Sequence, residues 1–217
     1  MEILLVRHGE PVVKWSRRLR RRDYAAWLAE YERASLDRAI SAPPHRLIEK
    51  FRDINKVFAS TLPRAVETAT TLKGDGQFVR SAMFVEAALP VPPVLGFRMT
   101  ALGWGVWSRV FWILGLTQGL ESFRAARKRA AYAADFLIKA AARDEKVALV
   151  AHGFFNTMIA RELRRRGWAG PKTRSWPFWA ARSFRPAGAS SGILDEHVLG
   201  DVVLGHSGAE HRSGSLA

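Results

Sequence analysis

The sequence contains no cysteine. Disulfides, thiolate metal sites and cysteine nucleophiles are excluded at once. The absence is compatible with a reducing compartment. Acidic residues are scarce: 20 Asp and Glu stand against 34 Lys and Arg, giving a formal net charge of +14 and a sequence pI near 11.1. Such a balance favours anionic partners, whether phosphorylated metabolites, nucleic acid or an anionic membrane surface, and does not choose among them. The N-terminus lacks the charged, apolar and small-residue order of a signal peptide, so a cytoplasmic address is expected. A long hydrophobic run is missing too. The most apolar stretch, residues 101–120 (ALGWGVWSRVFWILGLTQGL), is interrupted by glycines, Ser108, Arg109, Thr117 and Gln118. A spanning helix needs about 20 mostly apolar residues, so this stretch reads as an apolar cap over a pocket or an interfacial patch. No internal repeat is visible.

What is present suits one domain with a sizeable core: 217 residues, 48% of them hydrophobic. Ile3–Arg7, Lys56–Ser60 and Val147–Ala151 read as short buried strands of a parallel sheet covered on both faces. Phe78–Val85 is a candidate fourth. Pro63–Lys73 reads as a helix with proline in its first turn, ending before Gly74. Glu121–Arg143 carries an alanine-rich stripe, and Phe154–Arg166 an apolar face that stops at Gly167. The alternation predicts an α/β fold with a mostly parallel central sheet and helices on both faces. The expected organisation is a domain over residues 1–185, with an apolar insertion at about 90–120, and a glycine- and serine-rich tail over 186–217 that is extended or flexible. Within the tail, "GILDEHVL" or "DVVL" could add an edge strand.

Three strand ends carry chemistry. The first gives Arg7 and His8, the second Ser60 and then Arg64, the third His152. Parallel strands bring such ends to one edge of the sheet, where ligands of open α/β sheets bind. Two arginines and two histidines converging there call for something negative between them, and a phosphate fits. Each histidine precedes a glycine, Gly9 or Gly153, which allows a sharp turn and a close approach to a ligand. Arg64 falls in the first turn of a helix, whose amide groups also favour anions.

The stretches "LVRHGEP", "ASTLPRAVETA" and "VALVAHGFFN", in this order and spacing, resemble the histidine phosphatase (phosphoglycerate-mutase-like) superfamily over roughly residues 3–167. The resemblance implies that His8 becomes phosphorylated and that Arg7, Arg64 and His152 hold the phosphoryl oxygens. Ser60 and Gly153, at the same strand ends, are further candidate phosphate contacts. Residue chemistry agrees. A neutral imidazole is a good nucleophile near neutral pH, and phosphoryl transfer needs in-line placement and charge stabilisation above all. The family's acid, which protonates the departing oxygen, corresponds to Glu86 in "MFVEAALP". Glu10, close to His8 in sequence, is the competitor. The mutase branch has a Trp-Asn pair after its first motif and a Tyr-Gly and lysine-bearing segment after its acid. Here the chain reads "PVVKWSRR" and "AALPVPPV", so the elements that hold a second phosphate are not visible. Metal-independent hydrolysis of a phosphomonoester, with no cofactor, is the expected activity. A mutase, or a catalytically weak module that docks on anionic ligands or surfaces, is the alternative.

Plainer readings accompany these. Ser60 could be a helix cap, and Asn156 could only stabilise the turn after His152. Trp104, Trp107 and Trp112 are core residues more often than a binding platform. The basic run Lys14–Asp23 usually marks a solvated face, but here it could steer anionic substrates or touch a membrane. The expected partner is a phosphorylated small molecule or phosphoprotein, and nucleic acid is not expected. Peripheral membrane contact through the basic and tryptophan-rich surface stays open, and nothing in the sequence specifies an oligomeric state.

Overall fold

The structure is a computed structural model that describes residues 1–74, 76–93, 96–172 and 175–188. Along the chain the elements are β1 (Glu2–Arg7), β2 (Arg18–Leu19), α1 (Arg21–Arg33), α2 (His45–Arg52), β3 (Lys56–Ser60), α3 (Pro63–Lys73), β4 (Val79–Ser81), β5 (Met99–Thr100), α4 (Ala101–Ile113), α5 (Phe123–Asp144), β6 (Lys146–Ala151), α6 (Gly153–Arg165), β7 (Trp168–Ala169) and β8 (Ala181–Pro186). The main sheet runs β4-β3-β6-β1-β8-β7. Its first four strands are parallel, β8 is antiparallel to β1, and β7 is antiparallel to β8. The expected α/β fold with a mostly parallel, helix-covered sheet is what the chain forms.

The strands explain their own placement. Ile3 through Val6 are fully buried. Because side chains alternate along a strand, Ile3 and Leu5 join the core under α5 and α6, while Leu4 and Val6 join the core under α2 and α3. A strand buried on both faces must be apolar throughout, which is why this run shows no alternation. The alanines of α5 (Ala126, Ala130, Ala133, Ala134, Ala140, Ala141) let that helix pack closely on the sheet and on α6. Register fixes the functional edge. Arg7 lies opposite Ala151 and Ala59 opposite Val150, so the ends of β1, β3 and β6 finish level with one another.

One expectation is corrected. The run Phe78–Val85 is a strand only over Val79–Ser81. The Ser81 hydroxyl then accepts from the Met83 amide and turns the chain into a single 3-10 turn, Ala82–Phe84. Within the insertion the chain forms α4, capped by the Thr100 hydroxyl. Trp104 and Trp112 on its inner side are fully buried. Trp104 Nε1 donates to the Leu19 carbonyl, and Ser108 bonds the Tyr24 hydroxyl, so α4 and α1 share a small core of their own. β8 has no counterpart among the strands expected from the sequence. β8 continues through Pro186, tied to β1 because the Glu2 carboxylate accepts from Ser183 Oγ at 2.6 Å and Arg185 Nη2 at 2.8 Å. The candidate edge strands further on lie outside the described residues. Among the described residues no helix is long and apolar enough to cross a membrane.

Candidate active site

His8 is the first residue beyond β1, and its amide donates to the Ala151 carbonyl at 3.0 Å, so it leaves the sheet beside the end of β6. Its Nδ1 bonds the Gly9 carbonyl at 2.7 Å. A carbonyl only accepts, so Nδ1 carries the proton and Nε2 is left with a lone pair. Arg64 Nε donates to that Nε2 at 3.3 Å. Burial, then the charges of Arg64 and Arg7, hold the His8 imidazole well below its usual titration range, against a smaller upward pull from the Gly9 carbonyl. The ring is therefore held neutral, with the Nε2 lone pair facing Arg64.

Arg64 stands in the first turn of α3 and is almost wholly buried. Its Nη1 donates to the Tyr31 carbonyl at 2.7 Å and the Glu32 carbonyl at 3.2 Å, and its guanidinium lies 4.2 Å over the Tyr31 ring. One turn on, Thr68 Oγ1 accepts from the Gly9 amide at 3.0 Å and binds α3 to the His8 loop. Gly9 is required for space rather than for a turn: a Cβ there would sit 2.4 Å from the Trp179 ring and 2.5 Å from Leu36.

His152 caps α6 with its ring centroid 5.0 Å from that of His8. Its Nε2 lies 2.8 Å from Ser60 Oγ. Ser60 already accepts from the Leu62 amide, so its hydroxyl proton is free for Nε2. With Ser60 donating to Nε2, the proton of His152 sits on Nδ1, which is buried and has no partner among the described residues. Burial, then His8, Arg64, Arg7 and Arg129, push this histidine far down as well. Ser60 is fully buried behind His152, and both of its contacts are to protein. Asn156 donates to the Val6 carbonyl at 3.0 Å and fastens α6 to β1.

A segment the sequence reading passed over, Trp176–Ala180, closes the site from above. Arg7 donates through its backbone to the Ala180 carbonyl and through Nη1 to the Trp176 carbonyl. The Arg7 guanidinium lies 4.0 Å over the Phe178 ring, which is 5.7 Å from the His8 ring. Trp179 adopts a left-handed φ of 63°, costly for an aromatic residue. Its ring against Gly9 and its Nε1 bond to Ser41 Oγ at 2.8 Å hold it there. The aromatic run "WPFW" was the signal available in the sequence.

Glu86 follows the 3-10 turn and reaches the start of α6. Its Oε2 accepts from the Phe154 amide at 3.2 Å and its Oε1 from the Phe155 amide at 3.1 Å. Arg109, from the inner side of α4, stands 3.5 Å from Oε1 with its guanidinium 4.1 Å over the Phe154 ring. Sequence reasoning gave Arg109 no role, although it is the lone charge in residues 101–120. Arg129 braces the Glu86 segment by donating to the Met83 and Val85 carbonyls, each at 2.8 Å. An open cleft of about 250 Å³ is lined by Arg7, Tyr31, Glu86, Gly153, Phe154, Thr157 and Trp176, while the buried His8, Arg64 and His152 are not on its wall. Glu10 is not on its wall; its backbone bonds Ser41 and Asp37 instead. Gly153 admits Arg7 at contact distance, since a Cβ there would lie 3.4 Å from the Arg7 side chain. Of the three tryptophans in the insertion, Trp104 and Trp112 are core and Trp107 is exposed. The unpartnered buried donors Arg7 Nε, Arg109 Nη1 and Trp176 Nε1 belong to residues at or beside the cleft and suit a ligand rich in acceptors. Among the described residues, no three His, Asp or Glu side chains gather as metal ligands.

No curated protein sequence matches the chain. Solved structures match its fold. The protein called mycobacterial hydrolase 1 superposes with a TM-score of 0.53 at 17% identity, over 88% of this chain and 99% of that one. The ecdysone phosphate phosphatase of Bombix mori, solved with tungstate, gives 0.51 at 15% identity, over 89% and 97%. A mycobacterial glucosyl-3-phosphoglycerate phosphatase gives 0.51 at 19% identity, over 76% and 79%. The sequence profile of the histidine phosphatase superfamily (branch 1) matches residues 3–178, a span that holds the Arg7-His8 end of β1, the Arg64 turn of α3, Glu86 and His152. The chain that gathers these groups belongs to the histidine phosphatase superfamily, branch 1.

Proposed function

We propose that this enzyme hydrolyses phosphomonoesters through a phosphohistidine on His8. The observation that carries the reading is the neutral, buried His8 ring, whose Nε2 lone pair is oriented by a protonated Nδ1 and faced by the Arg64 guanidinium. A phosphoryl group entering between them displaces the Arg64–His8 contact and takes the Arg64 donors onto its own oxygens. Arg7 and His152 Nδ1 supply the remaining donors, and Ser60 acts through His152 by fixing its tautomer. Nε2 attacks phosphorus, the P–O ester bond breaks, and Glu86 gives its proton to the departing oxygen. A water then attacks the phosphohistidine, Glu86 takes the proton back, and inorganic phosphate leaves. The positive charge for this chemistry comes from the protein, so no metal is required.

Hydrolysis is preferred over mutase chemistry because the segments after His8 and Glu86 lack the second-phosphate elements. The substrate is a phosphorylated small molecule or phosphoprotein. Tyr31, Phe154 and Trp176 present aromatic surface to its leaving group. Relatives in fold are named for ecdysone phosphate and for glucosyl-3-phosphoglycerate, which are chemically far apart, so the cleft wall and not the fold sets the choice. A panel of phosphomonoesters assayed for inorganic phosphate, with and without a chelator, tests the reading. Release that survives chelation is expected. Isomerisation of a phosphoglycerate without phosphate release, or activity lost to chelation and restored by magnesium, would contradict it.

A further inference from the structure

Helix α4 is built with its apolar surface facing outward. Ala101, Trp104, Ser108 and Trp112 turn inward, and Arg109 reaches Glu86. The other side presents Leu102, Val106, Trp107, Val110, Ile113 and Leu114 to solvent, with Leu102 72% and Leu114 77% exposed. The spacing of Leu102, Val106, Val110 and Ile113 puts them on one stripe. Phe97, just before the helix, is also exposed. A continuous exposed apolar face of this kind marks a docking surface.

Charge identifies what docks. From Ala87 to Leu120 the sequence contains no Asp or Glu, and from Pro11 to Arg22 none either. The two segments meet, because β2 pairs with β5: Arg18 lies opposite Thr100 and Leu19 opposite Met99. Arg17, Arg18 and Arg98 are therefore carried beside the start of α4, and all three are exposed. At the far end, α5 begins with the exposed Arg124, Arg127 and Lys128. None of these six cations forms an ion pair among the described residues. An apolar strip with unpaired cations at both ends repels a second copy of itself, since any self-pairing sets cation against cation. It complements a surface that offers hydrocarbon and negative charge together.

We propose that the outer face of α4, fringed by the arginines of the β2–β5 ribbon, docks on the surface of an anionic lipid bilayer. At 13 residues, about 20 Å long, α4 lies in the interface and does not span it. Trp107, paired with Phe111, is suited to the headgroup level. The same helix carries Arg109 against Glu86, so docking brings the cleft to the bilayer surface, where a phosphomonoester on a lipid headgroup is presented to it. That consequence rests on the phosphatase reading; docking itself does not.

Co-sedimentation of the full chain with vesicles reads docking without any assay of turnover. Binding is expected to vesicles of phosphatidylcholine mixed with phosphatidylglycerol, and much less to phosphatidylcholine alone. The double variant Val106→Asp, Val110→Asp should lower the partition at least tenfold with an unchanged unfolding midpoint, because both side chains already face solvent. The triple variant Arg17→Ala, Arg18→Ala, Arg98→Ala should lower it about fivefold for each arginine removed. It lies outside α4, so it decides the matter alone if the aspartates disturb folding. No binding to the mixed vesicles, or binding that both variants retain, overturns the proposal. So does a dimer in sedimentation velocity that the aspartate variant dissolves, which would give the face to a second copy.

Discussion

Arg64 Nε donates to His8 Nε2 at 3.3 Å, and both residues are only 1% exposed. A cation that donates to an imidazole nitrogen is compatible only with the neutral ring. The contact therefore keeps the histidine unprotonated at rest, and on the proposed mechanism it marks the gap that a phosphoryl group enters.

The pH dependence of stability follows. Burial, then Arg64 and Arg7, depress His8; burial, then His8, Arg64 and Arg7, depress His152. In the unfolded chain both titrate near 6.5. Below that pH the unfolded state binds protons that the folded state refuses. The stability tied to these groups is thus complete above about pH 6.5 and declines as pH falls below it, by on the order of 1 kcal/mol per pH unit for each histidine. Urea midpoints measured from about pH 8 to 5 should be level at first and then fall, before ordinary carboxylates titrate. A flat profile through that range would place the protons elsewhere.

Glu86 is held by two amides of α6 and faced by Arg109, and it lines the cleft, whereas Glu10 does not. General acid catalysis contributes about 10²–10⁴-fold and matters most for a poor leaving group. Glu86→Gln should slow alkyl phosphates by about that factor and spare nitrophenyl phosphate much more. Glu10→Gln should give no such contrast; a contrast at Glu10 instead would reassign the acid.

Gly9 leaves room for a neighbour. In Gly9→Ala the new Cβ meets the Trp179 ring at 2.4 Å and Leu36 at 2.5 Å. Overpacking of this kind costs about 1–3 kcal/mol. Denaturant unfolding should register that loss. Equal stability would mean that Trp179 is not seated as described.

The legible parts of the sequence were those governed by local chemistry. β1, β3 and β6 are buried on both faces, so their apolar runs stand out, and their polar tips name Arg7, His8, Ser60 and His152. α3 and α6 carry their own stop signals at Gly74 and Gly167. The illegible parts depend on distant partners. β8 is a strand because it pairs antiparallel with β1, where Glu2 also holds Ser183 and Arg185, a relationship between distant parts of the chain. α1 buries only Tyr24 and Trp27, and those two find their core in α4. Arg109 gains a role only when α4 is laid beside Glu86, and the Trp176–Ala180 segment only when it crosses over Arg7 and His8.

The covalent step is tested most directly by trapping it. Enzyme mixed with a phosphate-labelled substrate and denatured during turnover should carry acid-labile, base-stable phosphate on the peptide that contains His8, and His8→Ala should carry none and turn nothing over. Label on another residue, or normal turnover by His8→Ala, would contradict the account.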